Sequence, residues 1–331
     1  MKSIAFFNNK GGVGKTSLVY HLAWMFADKG IKTLAVDLDP QANLTSMFLR
    51  EERLEQLWPD GEHPDTVYGA IRPILKGVGD IAEPHIEKIT DNLGLIPGDL
   101  GLSRFEDKLS SAWPLCHNSD ESAFRTMTAF HRLVQHGTAQ GAELVLIDVG
   151  PNLGAINRSA LIASDQVCFP LSPDLFSLQG LKNLGPTVNE WREVWKELLK
   201  KAPVDVQMPK GTMQPIGYIV MQHGILNSRP VKAYKRWLDK IPQTYRESVL
   251  LEKNAGNIPS VESDPYMLAL LKHYRSLMPM AMEANKPIFF LKSADGAIGA
   301  HLEAVVSCYK DFEALAGKIA ANAGIVFPNS K

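Results

Sequence analysis

The chain has 331 residues, 45% of them hydrophobic, enough to bury a large core as one large domain or two small ones. Its 35 Lys and Arg against 36 Asp and Glu give a formal net charge of -1, which excludes a strongly basic nucleic-acid binder but leaves room for a local basic face. Cys116, Cys168 and Cys308 lie far apart, without metal-ligand or redox spacing, and read as buried or idle thiols of a reducing compartment. No apolar run is long enough to span a membrane or to act as a signal peptide, so a cytoplasmic protein is expected.

In chain order, Ile4 to Phe7 is a short apolar run that predicts a buried strand. The glycine-rich "NNKGGVGKTS" follows. "TSLVYHLAWMFADKG" then places Leu18, Leu22 and Met25 or Phe26 on one helical face, with Gly30 suited to the position after the helix. "KTLAVDLDP" reads as a second buried strand that ends in acids. Strand, loop, helix and strand make a βαβ unit, which requires parallel strands. Residues 49–69 are charged and turn-rich and read as a surface connection. "NLGLIPGDLGL" predicts a short strand and its exit loop. The chain reads as irregular from Ser110 to Ser122, then helical to about Gln140. "AELVLIDVGP" is the most strand-like run of all.

A helix near Gly154 to Ser164, a strand at "QVCFPL" and a long helix from Leu178 to Lys201 come next. "QPIGYIVMQH" reads as a strand, "RPVKAYKRWLDKIPQTYRESVL" as helical, "KPIFFLK" as a last edge strand and Ala297 to Ala323 as a closing helix. Alternation throughout, with no internal repeat, predicts a doubly wound α/β fold: a mostly parallel sheet with helices on both faces. The expectation is one domain over residues 1–331, with surface elaborations at about 50–66 and 110–121.

"GGVGKTS" sits between a strand and a helix, which is the context of a phosphate-binding loop. Glycines let backbone N–H groups converge on phosphate oxygens, and the helix N-terminus adds favourable partial charge. Gly11, Gly12, Val13, Gly14, Lys15, Thr16 and Ser17 are therefore the expected nucleotide cradle. Lys15 reaches β- and γ-phosphates, and the Thr16 hydroxyl suits Mg²⁺. In the usual pattern G-x-x-x-x-G-K-[ST], the first position is glycine. Here it is Lys10, a second cation with no evident task inside one subunit.

At "KGGVGKTS" the chain resembles the deviant-Walker ATPases of the ParA/MinD family. The resemblance implies that Lys10 reaches across a dimer interface to the partner's nucleotide. It implies ATP and ADP as ligands, Mg²⁺ as cofactor and a homodimer when ATP is bound. "DLDPQANLT" resembles the family's D-x-D-P-Q segment. On that basis Asp39 positions the attacking water and Asp37 lies near the Mg²⁺ shell. With strand periodicity, both point to one side, beside the loop. "LVLIDVGP" has the Walker B pattern of apolar residues followed by an acid, so Asp148 is a further metal-holding candidate. The family usually has D-x-P-P here, and Gly150 stands in place of the first proline.

"NRSALIASDQVCFPLSPDLFSLQGL", "DTVYGAI", "NLGLIPGDLGLSRFE" and "LMPMAMEANKPIFFL" extend the resemblance over almost the whole chain. On the basis of that resemblance, Met221 and Pro279 lie in segments that flank the base. ParA-type members bind DNA non-specifically, and Lys232, Lys235 and Arg236 share a helical face suited to phosphates, although without an overall basic excess a solvated helix face is the plainer reading. The ending "ANAGIVFPNSK" is too short and weakly basic for the membrane helix of the MinD branch. The reading is a slow ATPase, stimulated by a ParB-like partner or a cargo adaptor, that partitions or positions DNA or another large cargo, cytoplasmic or associated with the nucleoid. The alternatives are a regulator or defence-system component using the same switch, a P-loop small-molecule kinase or synthetase, and an electron-transfer ATPase like the nitrogenase iron protein.

Overall fold

The apolar run at the start becomes β1 (Lys2–Phe6), the glycine loop opens α1 (Lys15–Asp28), and the second run becomes β2 (Thr33–Leu38). Then follow α2 (Asn43–Phe48), α3 (Glu51–Leu57), α4 (Val67–Lys76), β3 (Glu87–Thr90), β4 (Leu93–Ile96), α5 (Phe105–Cys116), α6 (Glu121–Met127) and α7 (Ala129–Ala139). β5 (Leu144–Val149), α8 (Ala155–Ile162), β6 (Gln166–Leu171), α9 (Leu175–Leu199) and β7 (Gln214–Met221) continue the alternation. α10 (Val231–Leu238), α11 (Ile241–Ser248), β8 (Met267–Leu271), α12 (Leu277–Glu283) and α13 (Ala300–Ala323) complete it. This computed structural model describes residues 1–221, 231–253, 256, 258–274 and 276–328, with side chains in α10 described from Lys235 onward.

Eight strands form one sheet in the order β3-β4-β2-β5-β1-β6-β7-β8. All pair in parallel except β3, which runs antiparallel to β4 at one edge. Every residue of β2, β5 and β6 is buried, as parallel strands covered on both faces require. One face packs against α4 to α9 and α11, the other against α1, α2, α12 and α13. This is the doubly wound α/β architecture that the alternation predicts. β5 lies between β1 and β2, and both Phe6 and Asp37 stand opposite Asp148 in the register. The carboxyl ends of these three strands therefore meet at one level, where ligands bind in such sheets.

Local readings change in five places. Residues 110–116 are not irregular: they complete α5, with Leu109, Ala112 and Cys116 buried at helical spacing despite Pro114. The segment expected to run as one helix from 122 to 140 is two, broken at Thr128 between α6 and α7. Residues 231–248 likewise divide into α10 and α11, with Pro242 in the first turn of the second. The surface connection at 50–66 contains α3 and is tied down, since Trp58 Nε1 donates to the Gly98 carbonyl (3.2 Å) and His63 Nδ1 lies 2.7 Å from Asp99 Oδ2. "KPIFFLK" holds a 3₁₀ turn at Ile288–Phe290, and the edge strand is β8. The two phenylalanines leave the sheet because they pack on α1: Phe289 meets His21 edge-on (5.7 Å) and Phe290 meets Trp24 (5.9 Å).

α9 and α11 touch through Gly185, where an added Cβ would collide with the Ser248 carbonyl. Gly185→Ala is expected to lower stability by about 1–3 kcal/mol through overpacking. A denaturant midpoint unchanged from wild type would contradict this close contact.

Candidate functional site

The loop from Lys10 to Gly14 turns through two glycines in the left-handed region, Gly12 (φ 72°) and Gly14 (φ 87°). No side chain caps α1 at its N-terminus, and its first turn carries no acid. Its orphan N–H groups are thus available to an anion. Asn8 holds the loop's root: its Nδ2 donates to the Pro170 carbonyl (2.5 Å), and its Oδ1 accepts from Lys10 N (2.9 Å). The loop lines a groove of about 420 Å³ together with Asp39, Gln41, Asn43, Met47 and Pro151.

Lys15 is 6% exposed, and burial lowers its pKa, while Asp148, Asp39 and Asp37 favour its charged form. Asp37 is fully buried. Its Oδ2 accepts from Thr45 N (2.8 Å) and Thr45 Oγ1 (2.7 Å), and its Oδ1 from Asp39 N (3.3 Å). Burial, then the neighbouring Asp148, raises it to about 8. Asp39 Oδ1 accepts from Gln41 N (3.0 Å). Asp148 differs from both: its two carboxylate oxygens are buried without any hydrogen-bond partner. Burial raises it to about 6 against the pull of Lys15.

An unpartnered buried carboxylate beside the Thr16 hydroxyl fits a hard cation with oxygen ligands. Among the described residues no group of three or more His, Cys, Asp or Glu could hold a metal alone. Of the two candidate acids, Asp148 has its oxygens free, and Asp37 spends its own on Thr45 and the turn after β2.

A second cavity, about 110 Å³ and mostly apolar, adjoins the loop. Met221, Leu271, Tyr274, Met278 and Phe312 are among its walls, with Gly14 and Ser17 at the loop end. His21 forms its floor as a neutral imidazole: Nδ1 lies 2.7 Å from the Ser17 carbonyl, Nε2 accepts from Ile288 N (3.1 Å), and burial lowers the ring to about 4. Met221 lines this cavity as expected. Pro279 is exposed and does not line it; its neighbour Met278 does.

The family profile described as AAA domain matches residues 1–201. The chain belongs to the ParA-like family of P-loop ATPases. An uncharacterized protein of Methanocaldococcus jannaschii is 29% identical over 292 residues, 87% of this chain and 93% of its own length. The sporulation initiation inhibitor protein Soj of Bacillus subtilis is 30% identical over 56% of this chain and 64% of its own. The chromosome partitioning protein ParA of Myxococcus xanthus is 31% identical over 55% of this chain and 56% of its own. The chain thus spans less than two thirds of these two named relatives. In fold it is similar to a protein of Corynebacterium diphtheriae (TM-score 0.72, 24% identity, 97% of this chain and 98% of that one). It is also similar to the ATP complex of a McdA variant from Cyanothece (TM-score 0.64, 17% identity, 100% and 99%).

Beside this ParA-like core, Lys10 has a partner that sequence reading missed. Its Nζ forms an ion pair with Asp174 Oδ2 (2.5 Å), and Asp174 Oδ1 caps α9 by accepting from Ser177 N (2.9 Å). The expectation that Lys10 has no task inside one subunit is therefore corrected. "SPDLFSL" carried the signal, since an Asp before an apolar run is an N-cap pattern. Glu106 on α5 was missed as well. It accepts from Ala155 N (2.5 Å) and Ile156 N (2.9 Å) and so caps α8, directly after the loop that follows β5. From α8, Arg158 lies over the Trp113 ring (4.4 Å), which stacks on Trp195 of α9. Lys235 and Arg236 are exposed on α10, and the Lys232 side chain lies outside the described residues. No helix among the described residues is long and apolar enough to cross a membrane.

The raised pKa of Asp148 has a sign for stability. Its neutral form is favoured by folding, so stability from this group is present below about pH 4 and lost as pH rises through about 6. At pH 7.5 in metal-free buffer, Asp148→Asn is expected to be more stable than wild type, by an amount on the order of 3 kcal/mol. The difference should shrink towards pH 4.5. Thermal melts in EDTA across this range check it, and a destabilised variant at pH 7.5 would contradict the unpartnered carboxylate.

Proposed function

We propose that this chain is an ATP- and Mg²⁺-dependent dimerisation switch that hydrolyses ATP slowly, speeds up with a partner protein, and serves to partition or position DNA or another large cargo. The observation that carries this reading is the pair of lysines on one phosphate groove. Lys15 is buried among three acids, while Lys10 stands at the mouth, about a third exposed, and held by Asp174.

In this reading the loop from Gly11 to Ser17 binds the triphosphate through backbone N–H groups and Lys15. Thr16 and Asp148 hold Mg²⁺, with Asp37 keeping the turn after β2 in place through Thr45. Mg²⁺ supplies charge neutralisation on the β- and γ-phosphates. Asp39 orients the water, since positioning and electrostatics are the protein's main contribution to phosphoryl transfer. Met221 belongs to the base pocket. Lys10 leaves Asp174 for the partner's nucleotide when two subunits meet.

The surroundings of Lys10 support a protein partner there. Leu175 and Phe176, next to Asp174, are 43% and 70% exposed, and Leu153 after β5 is 39% exposed. Exposed Lys235 and Arg236, with Arg236 and Lys240 over the Trp237 ring, support a phosphate-contacting face on α10.

Sizing the protein with ADP, with ATP, and with ATP plus DNA tests dimer and cargo together. A monomer in all three would remove the switch. Lys15→Ala is expected to weaken ATP binding about a hundredfold or more, and calorimetry showing wild-type affinity would contradict the loop assignment. Lys10→Ala should keep ATP binding and lose the ATP dimer. Asp174→Asn keeps the α9 cap but weakens the hold on Lys10, so its ATP dimer should form at lower protein concentration than wild type. A dimer that needs higher concentration would show that Asp174 serves the interface instead.

A further inference from the structure

The first turn of α8 is capped from another helix. Gly154, the residue before it, has no side chain to offer, and Glu106 of α5 takes that part. Glu106 Oε1 accepts from Ala155 N (2.5 Å) and Oε2 from Ile156 N (2.9 Å), so both carboxylate oxygens are engaged. Glu106 also lies in the first turn of its own helix. Its charge therefore faces the positive ends of two helix dipoles, and its bonds to the amides are charge-assisted.

Gly154 fits the same arrangement. Its φ of -76° suits any residue, but an added Cβ would stand 2.6 Å from Glu106 Oε1 and 2.9 Å from Asn152 Oδ1. The carboxylate reaches the two amides only because that side chain is missing. The loop before α8 is tied to the same turn. Asn157 Nδ2 donates to the carbonyls of Gly150 and Asn152, both at 2.7 Å, and Asn152 Oδ1 accepts from Gly154 N (2.9 Å). Within this loop Pro151 forms part of the wall of the phosphate groove, three residues past Asp148.

We propose that Glu106 is a positioning residue for the phosphate groove: it grips the first turn of α8, and that turn holds the loop that carries Pro151. Glu106 lines no part of the groove itself and acts through the loop. Its effect on turnover rests on the proposed ATPase reading, whereas the grip on α8 does not.

Amide hydrogen exchange and steady-state kinetics of the full chain test this, for wild type, Glu106→Gln, Gly154→Ala and Asp107→Asn. Glu106→Gln keeps the shape but leaves one acceptor oxygen and turns an NH₂ towards the second amide. Gly154→Ala keeps the charge and crowds the carboxylate away. Asp107→Asn removes a charge from an exposed position in the same turn of α5. In the first two variants the amides of Ala155 and Ile156 should exchange about tenfold faster or more. Their kcat should fall about tenfold, with the KM for ATP within about twofold. Asp107→Asn should match wild type in both measurements. Wild-type amides at 155 and 156 that exchange like an unprotected loop overturn the grip, whether or not the variants fold. Faster exchange with kcat unchanged overturns the positioning role, and so does an equal loss of kcat in Asp107→Asn. A wild-type protein with protected amides that hydrolyses no ATP overturns the ATPase reading and the role in turnover together, and leaves the grip on α8 standing.

Discussion

Three carboxylates and one ammonium share the buried carboxyl ends of β1, β2 and β5. Asp37, Asp39 and Asp148 are each under a tenth exposed, and so is Lys15. Like charges this close and this dry oppose one another, and one lysine cannot balance three acids. Burial first, and neighbouring carboxylates second, raise Asp37 to about 8 and Asp148 to about 6. A polyanion alone would worsen it, and a polyanion carrying a divalent cation would relieve it. The parallel register that puts Asp37 opposite Asp148 is what gathers these acids at one level beside Lys15. The supporting bonds follow from the same demand: Thr45 satisfies Asp37, the Gln41 amide serves Asp39, and Asp148 alone is left open.

Features carried by residues close together in the chain are legible in the sequence itself. The phosphate loop needs a strand before it, a helix after it and glycines at left-handed positions, all within residues 2–28. The D-x-D pair and the acid closing β5 are likewise local patterns, and the doubly wound fold follows from alternation alone. What the sequence does not show depends on residues far apart. Asp174 meets Lys10 across 164 positions, and His21 meets Ile288 across 267. α5 is obscured by Pro114 and by serines, because its helical face is decided by what Leu109, Ala112 and Cys116 pack against. The "IFF" run has strand composition, but contacts with α1 outweigh it, an override of local preference by tertiary packing.

Lys10 is the residue whose meaning changes most. Read as a sequence it has no partner in its own subunit; in the fold it is engaged by the cap of α9. The two statements are compatible if the cation has two alternatives of comparable worth. Lys10 is about a third exposed but Asp174 is buried, so giving up the pair needs compensation from whatever Lys10 meets next, while Asp174 keeps its bond from Ser177 N. The exposed Leu175 and Phe176 beside Asp174 add apolar area to whatever displaces it.

The stretch between β5 and α8 covers only residues 150–154, and both of its ends are held. β5 is locked in the middle of the sheet, and the first turn of α8 is gripped by Glu106. Slack is therefore confined to the dihedral angles of a few residues. Any displacement larger than they can absorb must tilt α8 as a rod. That rod does not move alone, because Arg158 rests on Trp113, and Trp113 is stacked on Trp195 of α9. The other end of α9 carries Asp174, the counter-ion of Lys10. The aromatic stack thus joins α8, α5 and α9 in one packed path, with the loop after β5 at one end and the ion pair of Lys10 with Asp174 at the other.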